Sequence, residues 1–264
     1  MASYQKVSEG IFRIIGSRSN IFLVVDPVPV LIDTGMPGDE TFILQALNEL
    51  GLHARNVSMI LITHAHLDHV GALAAVKLAT DARVIASVHE KDHIEGRKLL
   101  CSMRREGLNG ALFKCMLYVM EKFIKKYEPV QLYSTYSETD GTGRVDDVHI
   151  IATPGHSPGS LSFYFPGKKA VFTGDALTGT PAPGLPLRAG CSDYARALRS
   201  AQRLAQLDAD LCFFGHGEPL LGNAAPVLRE LGNRAASLQK GKGLDNVADL
   251  SSTSPMRGNN GRKS

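Results

Sequence analysis

The sequence predicts an α/β protein carrying a helical insertion, and three observations predict it. Short runs rich in Ile, Val and Phe alternate with segments of helical periodicity along most of the 264 residues, the rhythm of a layered α/β architecture. One long amphipathic stretch, Ala111 to Tyr127, interrupts that rhythm. A set of residues of metal-ligating type stands directly behind several of the apolar runs.

The elements follow in order. Ile11 to Ile15, Asn20 to Val25 and Val30 to Ile32 read as strands separated by Gly, Ser and Pro. Asp39 to Leu50 places Ile43, Ala46, Leu47 and Leu50 at helical spacing, with Gly51 closing the helix. Val57 to Ile62 is a buried-type strand, a helix starts near Asp68 and runs through Ala72, Leu73 and Val76, and Arg83 to Ser87 returns as a strand. The insertion spans about residues 89–136. Within it Leu112, Phe113, Met116, Leu117, Met120, Phe123, Ile124 and Tyr127 share one face, opposite Lys114, Glu121, Lys122, Lys125 and Lys126. That apolar stripe can serve as core, line a substrate pocket, or pack against a second subunit in a homodimer. Strands resume at His149 to Ala152, Ser160 to Phe165 and Lys169 to Thr173. A helix over Ser192 to Leu207 takes Ser192 as its N-cap. Leu211 to Phe214 is a buried strand, and Ala225 to Leu238 a final helix.

Composition narrows the function class. The chain is 44% hydrophobic and 21% charged, with no Trp, which suits a globular protein and does not favour stacking platforms for nucleic acid. Residues 239–264 hold five Lys/Arg and two acids. Of 29 bases and 26 acids, 24 of each remain before residue 239. The formal charge of +3 therefore sits in a Gly-, Ser- and Asn-rich tail expected to be disordered, and nucleic acid is not an expected partner. Cys101, Cys115, Cys191 and Cys212 show no metal or disulfide spacing. With no signal-peptide pattern and no run of ~18 apolar residues, the expectation is a cytoplasmic protein with no transmembrane segment.

The densest chemical signal is Leu61 to Leu73, LITHAHLDHVGAL, with His64, His66, Asp68 and His69 inside six residues. Ionisable groups so crowded must be exposed, paired or bound to metal. His64 and His66 stand two apart at a strand end and can face the same way. Asp68 and His69 follow on a helical turn. His156 in TPGHSPGS, Asp175 in VFTGDALTG and His216 in LCFFGHGEP each lie behind an apolar strand and beside a glycine, where the backbone can approach a bound group closely. Asp33, in Asp33-Thr34-Gly35, ends a strand in the same way, though by itself it could shape an Asx turn.

Taken together, these residues resemble the metallo-β-lactamase-fold hydrolases, whose mark is HxHxDH followed by isolated His, Asp and His in that order. The resemblance covers about residues 8–238. It implies a four-layered αβ/βα sandwich forming a single metallo-hydrolase domain over residues 1–238. It also implies a first metal held by His64, His66 and His156, a second by Asp68, His69 and His216, and Asp175 as the bridge. Asp33 would orient a metal-bound histidine. Nitrogen and oxygen donors without thiolate suit two divalent ions, zinc foremost, with iron or manganese tolerated. The expected activity is attack by a metal-bound hydroxide on an ester, lactone or phosphoester of a small, partly apolar molecule, with Asp68 moving the proton.

Departures from particular members sharpen this. β-Lactamases of the fold carry Cys or Ser where Asp175 stands. The acyl-homoserine lactonases place a Tyr where Thr178 stands, so Thr178 becomes a candidate pocket residue alongside Leu112, Met116 and Met120. Thioesterases of the glyoxalase II type share all seven ligands and add a C-terminal helical domain. With 48 residues after His216, that domain is expected to be missing here. An alternative from another class is a persulfide dioxygenase using one iron held by two His and an Asp.

Overall fold

Strands whose residues are apolar on both faces belong in layers covered on both sides, and the strands here are of that kind. Tyr4–Ser8 (β1), Ile11–Ile14 (β2), Ile21–Val24 (β3) and Val30–Ile32 (β4) form an antiparallel meander. Met59–Leu61 (β5), Arg83–Ser87 (β6) and Ser134–Tyr136 (β7) extend it in parallel, giving a seven-stranded sheet in sequence order. A second sheet of six strands is built from Thr142–Val145 (β8), Val148–Ala152 (β9), Leu161–Phe165 (β10), Ala170–Gly174 (β11), Leu211–Phe214 (β12) and Leu220–Leu221 (β13). Its pairings are antiparallel except the parallel contact of β11 with β12. The computed structural model describes residues 3–16, 18–98, 127–137 and 142–248.

Alternation along the strands assigns the layers. In β3, Ile21 and Leu23 pack with Ile43, Ala46 and Leu47 of Glu40–Glu49 (α1) and Val76 of Leu73–Thr80 (α3). Phe22 and Val24 point the other way, into a core shared with Phe163, Phe172 and Phe213 of the second sheet. Val171, Cys212 and Phe214 then face Leu198, Ala201 and Leu204 of Tyr194–Leu204 (α5), and Leu228 and Leu231 of Ala224–Ala248 (α6). The order is helices, sheet, sheet, helices, which is the four-layered αβ/βα sandwich. Between the sheets, Phe172 and Phe213 stack at 4.7 Å and Phe22 lies 5.3 and 5.0 Å from them.

Several elements depart from the sequence reading. β1 lies ahead of the first predicted strand, because Tyr4–Ser8 is an edge strand with a single buried residue, Val7, and little apolar signal. The helix expected from Asp68 is two pieces, Leu67–Val70 (α2) and α3, parted where Gly71 sits against Pro37. The cap of α5 is Asp193, whose Oδ1 accepts the Arg196 N–H at 2.9 Å, and not Ser192. Ser192 gives its hydroxyl to the Gly155 carbonyl at 3.1 Å. In the predicted insertion, Lys91–Ile94 (α4) is helical, whereas β7 is a strand of the first sheet. The stripe residues Leu112, Met116 and Met120 lie outside the described residues. α6 continues past Leu238 to Ala248. Among the described residues no helix is long and apolar enough to cross a membrane.

Candidate metal centre

Strand direction brings the ligand-type residues to one edge. β4 and β5 run parallel, so Asp33 and the His64 cluster leave the first sheet at the same end. In the second sheet, two antiparallel steps from β9 through β10 to β11 restore direction, and β12 runs parallel to β11. His156, Asp175 and His216 therefore also emerge together. Asn20 heads β3, which is antiparallel to β4, and so stands at this edge too.

Three groups of donors form there, and the ligand atoms of each lie within 4.8 Å of one another. They are His64, His66 and His156; His64, His69 and Asp175; and Asp68, His69 and His216. His66 Nδ1 lies 2.9 Å from His64 Nε2 and 3.0 Å from His156 Nε2. Donors on one tetrahedral zinc with Zn–N of about 2.0–2.1 Å stand about 3.3 Å apart, close to this spacing. Asp175 Oδ2 is 3.4 Å from both His156 Nε2 and His216 Nε2, and Asp175 Oδ1 is 3.7 Å from His69 Nε2. Asp68 Oδ2 is 3.4 Å from His216 Nε2. All seven predicted ligands are thus brought together, with Asp175 between the groups.

The hydrogen bonds around them fix the imidazole tautomers. Asp33 Oδ2 accepts the Thr63 hydroxyl at 2.7 Å and pairs with His69 Nδ1 at 2.8 Å, while Oδ1 accepts the Thr63 N–H at 2.8 Å. A Thr63 hydroxyl that donates to Asp33 can only accept from His64 Nδ1, 3.1 Å away. His64 therefore carries its proton on Nδ1 and turns an Nε2 lone pair to the centre, while Asp33 keeps a proton on His69 Nδ1 so that Nε2 is the nitrogen facing the centre. Asp33 orients two histidines, one directly and one through Thr63. Its left-handed backbone (φ 59°) is a conformation that Asp tolerates better than most residues.

The donors fit divalent cations. His69 Nε2 and Asp175 Oδ1 are buried and have no hydrogen-bond partner, a costly arrangement unless a cation sits between them. The titration behaviour agrees. Burial, and then the neighbouring imidazoles, hold His64 well below its ordinary value and bring His66 down to about 3. His156 is also lowered by burial. In His69 burial pulls downward, but Asp33, Asp175 and Asp68 prevail and raise it to about 9. Hydrogen bonds to Asp175 and Asp68 lift His216 to about 10. Burial would raise Asp68 and Asp175, yet the imidazoles beside them keep both carboxyls below the usual range. Three histidines are neutral at neutral pH, and three carboxylates hold protons on the other two where cations would stand.

Thr178, proposed from sequence for the pocket, uses its hydroxyl to accept the Thr180 N–H at 3.1 Å. Its backbone pairs with Gly184 in both directions, and Gly179 N–H binds the His216 carbonyl at 2.9 Å. The Pro181 to Pro186 loop is thereby rooted on a ligand-bearing turn. Sequence reasoning missed Thr63, Ser19, Asn20, Glu90 and Ser157, which hold the ligand loops. Glu90 obeys the rule that found the ligands, a polar residue just past an apolar strand, here β6. Asn20 precedes a strand, and only the antiparallel pairing puts it at the site.

Comparison with known proteins agrees with this geometry. Residues 15–216 match the family model of the Metallo-beta-lactamase superfamily. The chain is 26% identical over 256 residues to the probable metallo-hydrolase YflN of Bacillus subtilis (strain 168), spanning 88% of this chain and 94% of that protein. It is 31% identical over 150 residues to the hydroxyacylglutathione hydrolase GloC of Haemophilus influenzae, spanning 56% of this chain and 60% of that protein. A solved metallo-beta-lactamase family protein from Thermus thermophilus shares the fold, with a TM-score of 0.62 at 24% identity over 87% of this chain and 80% of that one.

Proposed function

This chain belongs to the metallo-beta-lactamase superfamily, and from that premise we propose that it is a dinuclear metal-dependent hydrolase of ester-type bonds. The observation that carries the reading is the position of Asp175, whose two oxygens face histidines of both outer donor groups. His64, His66 and His156 would hold one ion, Asp68, His69 and His216 the other, and Asp175 both. The nitrogen and oxygen donor set favours zinc. Bound there, such ions supply Lewis acidity and lower the pKa of water from 15.7 to about 7.

The residues themselves bind, orient and move protons. Asp33 and Thr63 hold His64 and His69 in the tautomer that presents Nε2. Asp68 is the more exposed of the two site carboxylates, its side chain 28% accessible against 14% for Asp175. It can therefore meet a substrate at the mouth while remaining ionised, and we assign to it the transfer of the proton from nucleophile to leaving group. The substrate class is a small, partly apolar ester or lactone. The hydrolysis of hydroxyacylglutathione by a relative keeps thioesters within the reading.

The test is metal content measured together with turnover on ester, lactone, thioester and phosphodiester panels. Two zinc ions per chain with hydrolysis of a carbonyl substrate, lost in Asp68→Ala, is the expected result. A single iron per chain with oxygen consumption on a persulfide would overturn it in favour of a dioxygenase.

A further inference from the structure

Two groups of residues outside the donor set grip the ligand-bearing loops, and each begins in the first sheet and ends on a loop at the centre. Asn20 spends both amide donors on carbonyls flanking His216, those of Phe214 at 3.0 Å and Gly217 at 2.8 Å. Its backbone N–H takes the Gly215 carbonyl at 2.8 Å. Three carbonyls within four residues are thus bound by one side chain and its own backbone. The buried Ser19 beside it donates its hydroxyl to the Asp68 carbonyl. This pair therefore reaches two of the three residues in the Asp68, His69 and His216 group.

Glu90 does the corresponding work for His156. It is 1% exposed, and its Oε1 accepts the Ser157 hydroxyl at 2.6 Å and the Gly159 N–H at 2.8 Å. Ser160 Oγ closes the same turn, 2.9 Å from Ser157 Oγ and accepting the Ser157 N–H at 3.0 Å. Glu90 Oε2 is buried with no hydrogen-bond partner. A carboxylate so desolvated is costly, and both hydrogen bonds to its Oε1 come from the turn that directly follows His156.

We propose that Ser19 and Asn20 position the Asp68, His69 and His216 group while Glu90 positions the His64, His66 and His156 group, as two clamps that act on separate metal sites. Neither clamp touches substrate or the reacting atoms; both act through ligands, and the inference rests on the dinuclear reading above. The chemistry of each clamp is specific. An amide offers two donors to two carbonyls, which neither Asp nor a hydroxyl can match. A carboxylate oxygen accepts from a hydroxyl and an amide at once.

Cobalt(II) titration of the metal-free full-length chain tests this. Visible absorption follows occupancy, and the paramagnetically shifted imidazole protons of His156 and His216 report which site fills. In Asn20→Ala and Asn20→Asp, affinity at the His216 site should fall about 10–100-fold with the His156 site unchanged, the range for losing a residue that orients a ligand. Glu90→Ala should do the reverse, and Glu90→Gln, which keeps an accepting oxygen, should recover most of the loss. Circular dichroism checks that each variant folds, and Asn20→Ser, retaining one donor, is read if Asn20→Ala does not. Equal weakening of both sites by either variant, or changes below about twofold, overturns the clamps while leaving two cobalts per wild-type chain. Uptake of a single cobalt by the wild-type chain overturns the dinuclear reading and the clamps with it.

Discussion

Gly215 shows how closely single residues constrain the centre. A Cβ there would lie 2.2 Å from Asp175 Oδ1 and 2.9 Å from His69 Cε1, distances no atoms tolerate. Gly215→Ala should displace the carboxylate that joins the donor groups. Metal content is expected to fall below one ion per chain while the circular dichroism spectrum stays that of the wild type. The same crowding governs protons. His69 and His216, raised to about 9 and about 10 in the metal-free chain, are both protonated at pH 7.5, below their own pKa values. Metal binding must expel those protons, so uptake should release about two per chain and tighten as pH rises toward 9. Calorimetry in buffers of different ionisation enthalpy measures this; release of fewer than one would contradict the assignment of both histidines as ligands. Asp33, Asp68, Asp175 and the histidines were legible in the sequence, because each is a ligand-type residue placed just after an apolar strand. Asn20 was not, because it precedes its strand and its hydrogen bonds to distant carbonyls leave no mark in the local pattern. Glu90 stands past β6 as the ligand-type residues stand past their strands, but its partners, the Ser157 hydroxyl and the Gly159 N–H, are set only by the fold.

At the scale of elements, the turn bearing His156 is held by two neighbours. β6 leads into Glu90, and the N-terminus of α5 contributes Ser192 and Asp193 N–H groups to the His156 and Gly155 carbonyls at 3.0 and 2.9 Å. Gly155, at φ +136°, leaves no room for a side chain, since a Cβ there would lie 2.1 Å from Ala197 N. Asp193 caps α5 through its carboxylate, and Asp193→Ala should cost about 1 kcal/mol, lowering Tm by about 2–4 °C. Its backbone bond to Gly155 survives the substitution, so metal content should not change, and thermal melts with metal analysis check both halves of that expectation. Helix and strand positions followed well from periodicity, because buried strands and amphipathic helices write their burial into the sequence. The departures included the edge strands β1 and β7, which carry little apolar signal, and the ends and breaks of helices. Ser192 is a good cap by type, yet Asp193 has the extended backbone (φ −146°) and the reach to Arg196 N–H that a cap requires.

For the molecule as a whole, the candidate centre bridges the two sheets. His64, His66, Asp68 and His69 come from the first, and His156, Asp175 and His216 from the second. Bound ions should therefore stabilise the packing of one sheet on the other, in addition to the shared Phe22, Phe172 and Phe213 core. At a metal concentration a thousandfold above Kd, one site adds about 4 kcal/mol, so chelation should lower Tm by on the order of 10 °C. An unchanged Tm on removal of metal would show that the sheets are held by the core alone. The sequence by itself determined the alternation of layers and singled out the candidate donors, because both are written in local spacing: apolar periodicity, and ligand-type residues at strand ends. Only the tertiary structure decided that those ends meet at one edge, which nitrogen of each histidine faces the centre, and which residues clamp the loops. Those outcomes depend on strand direction and on hydrogen bonds between residues as far apart as Asn20 and Gly217, and no local pattern encodes either.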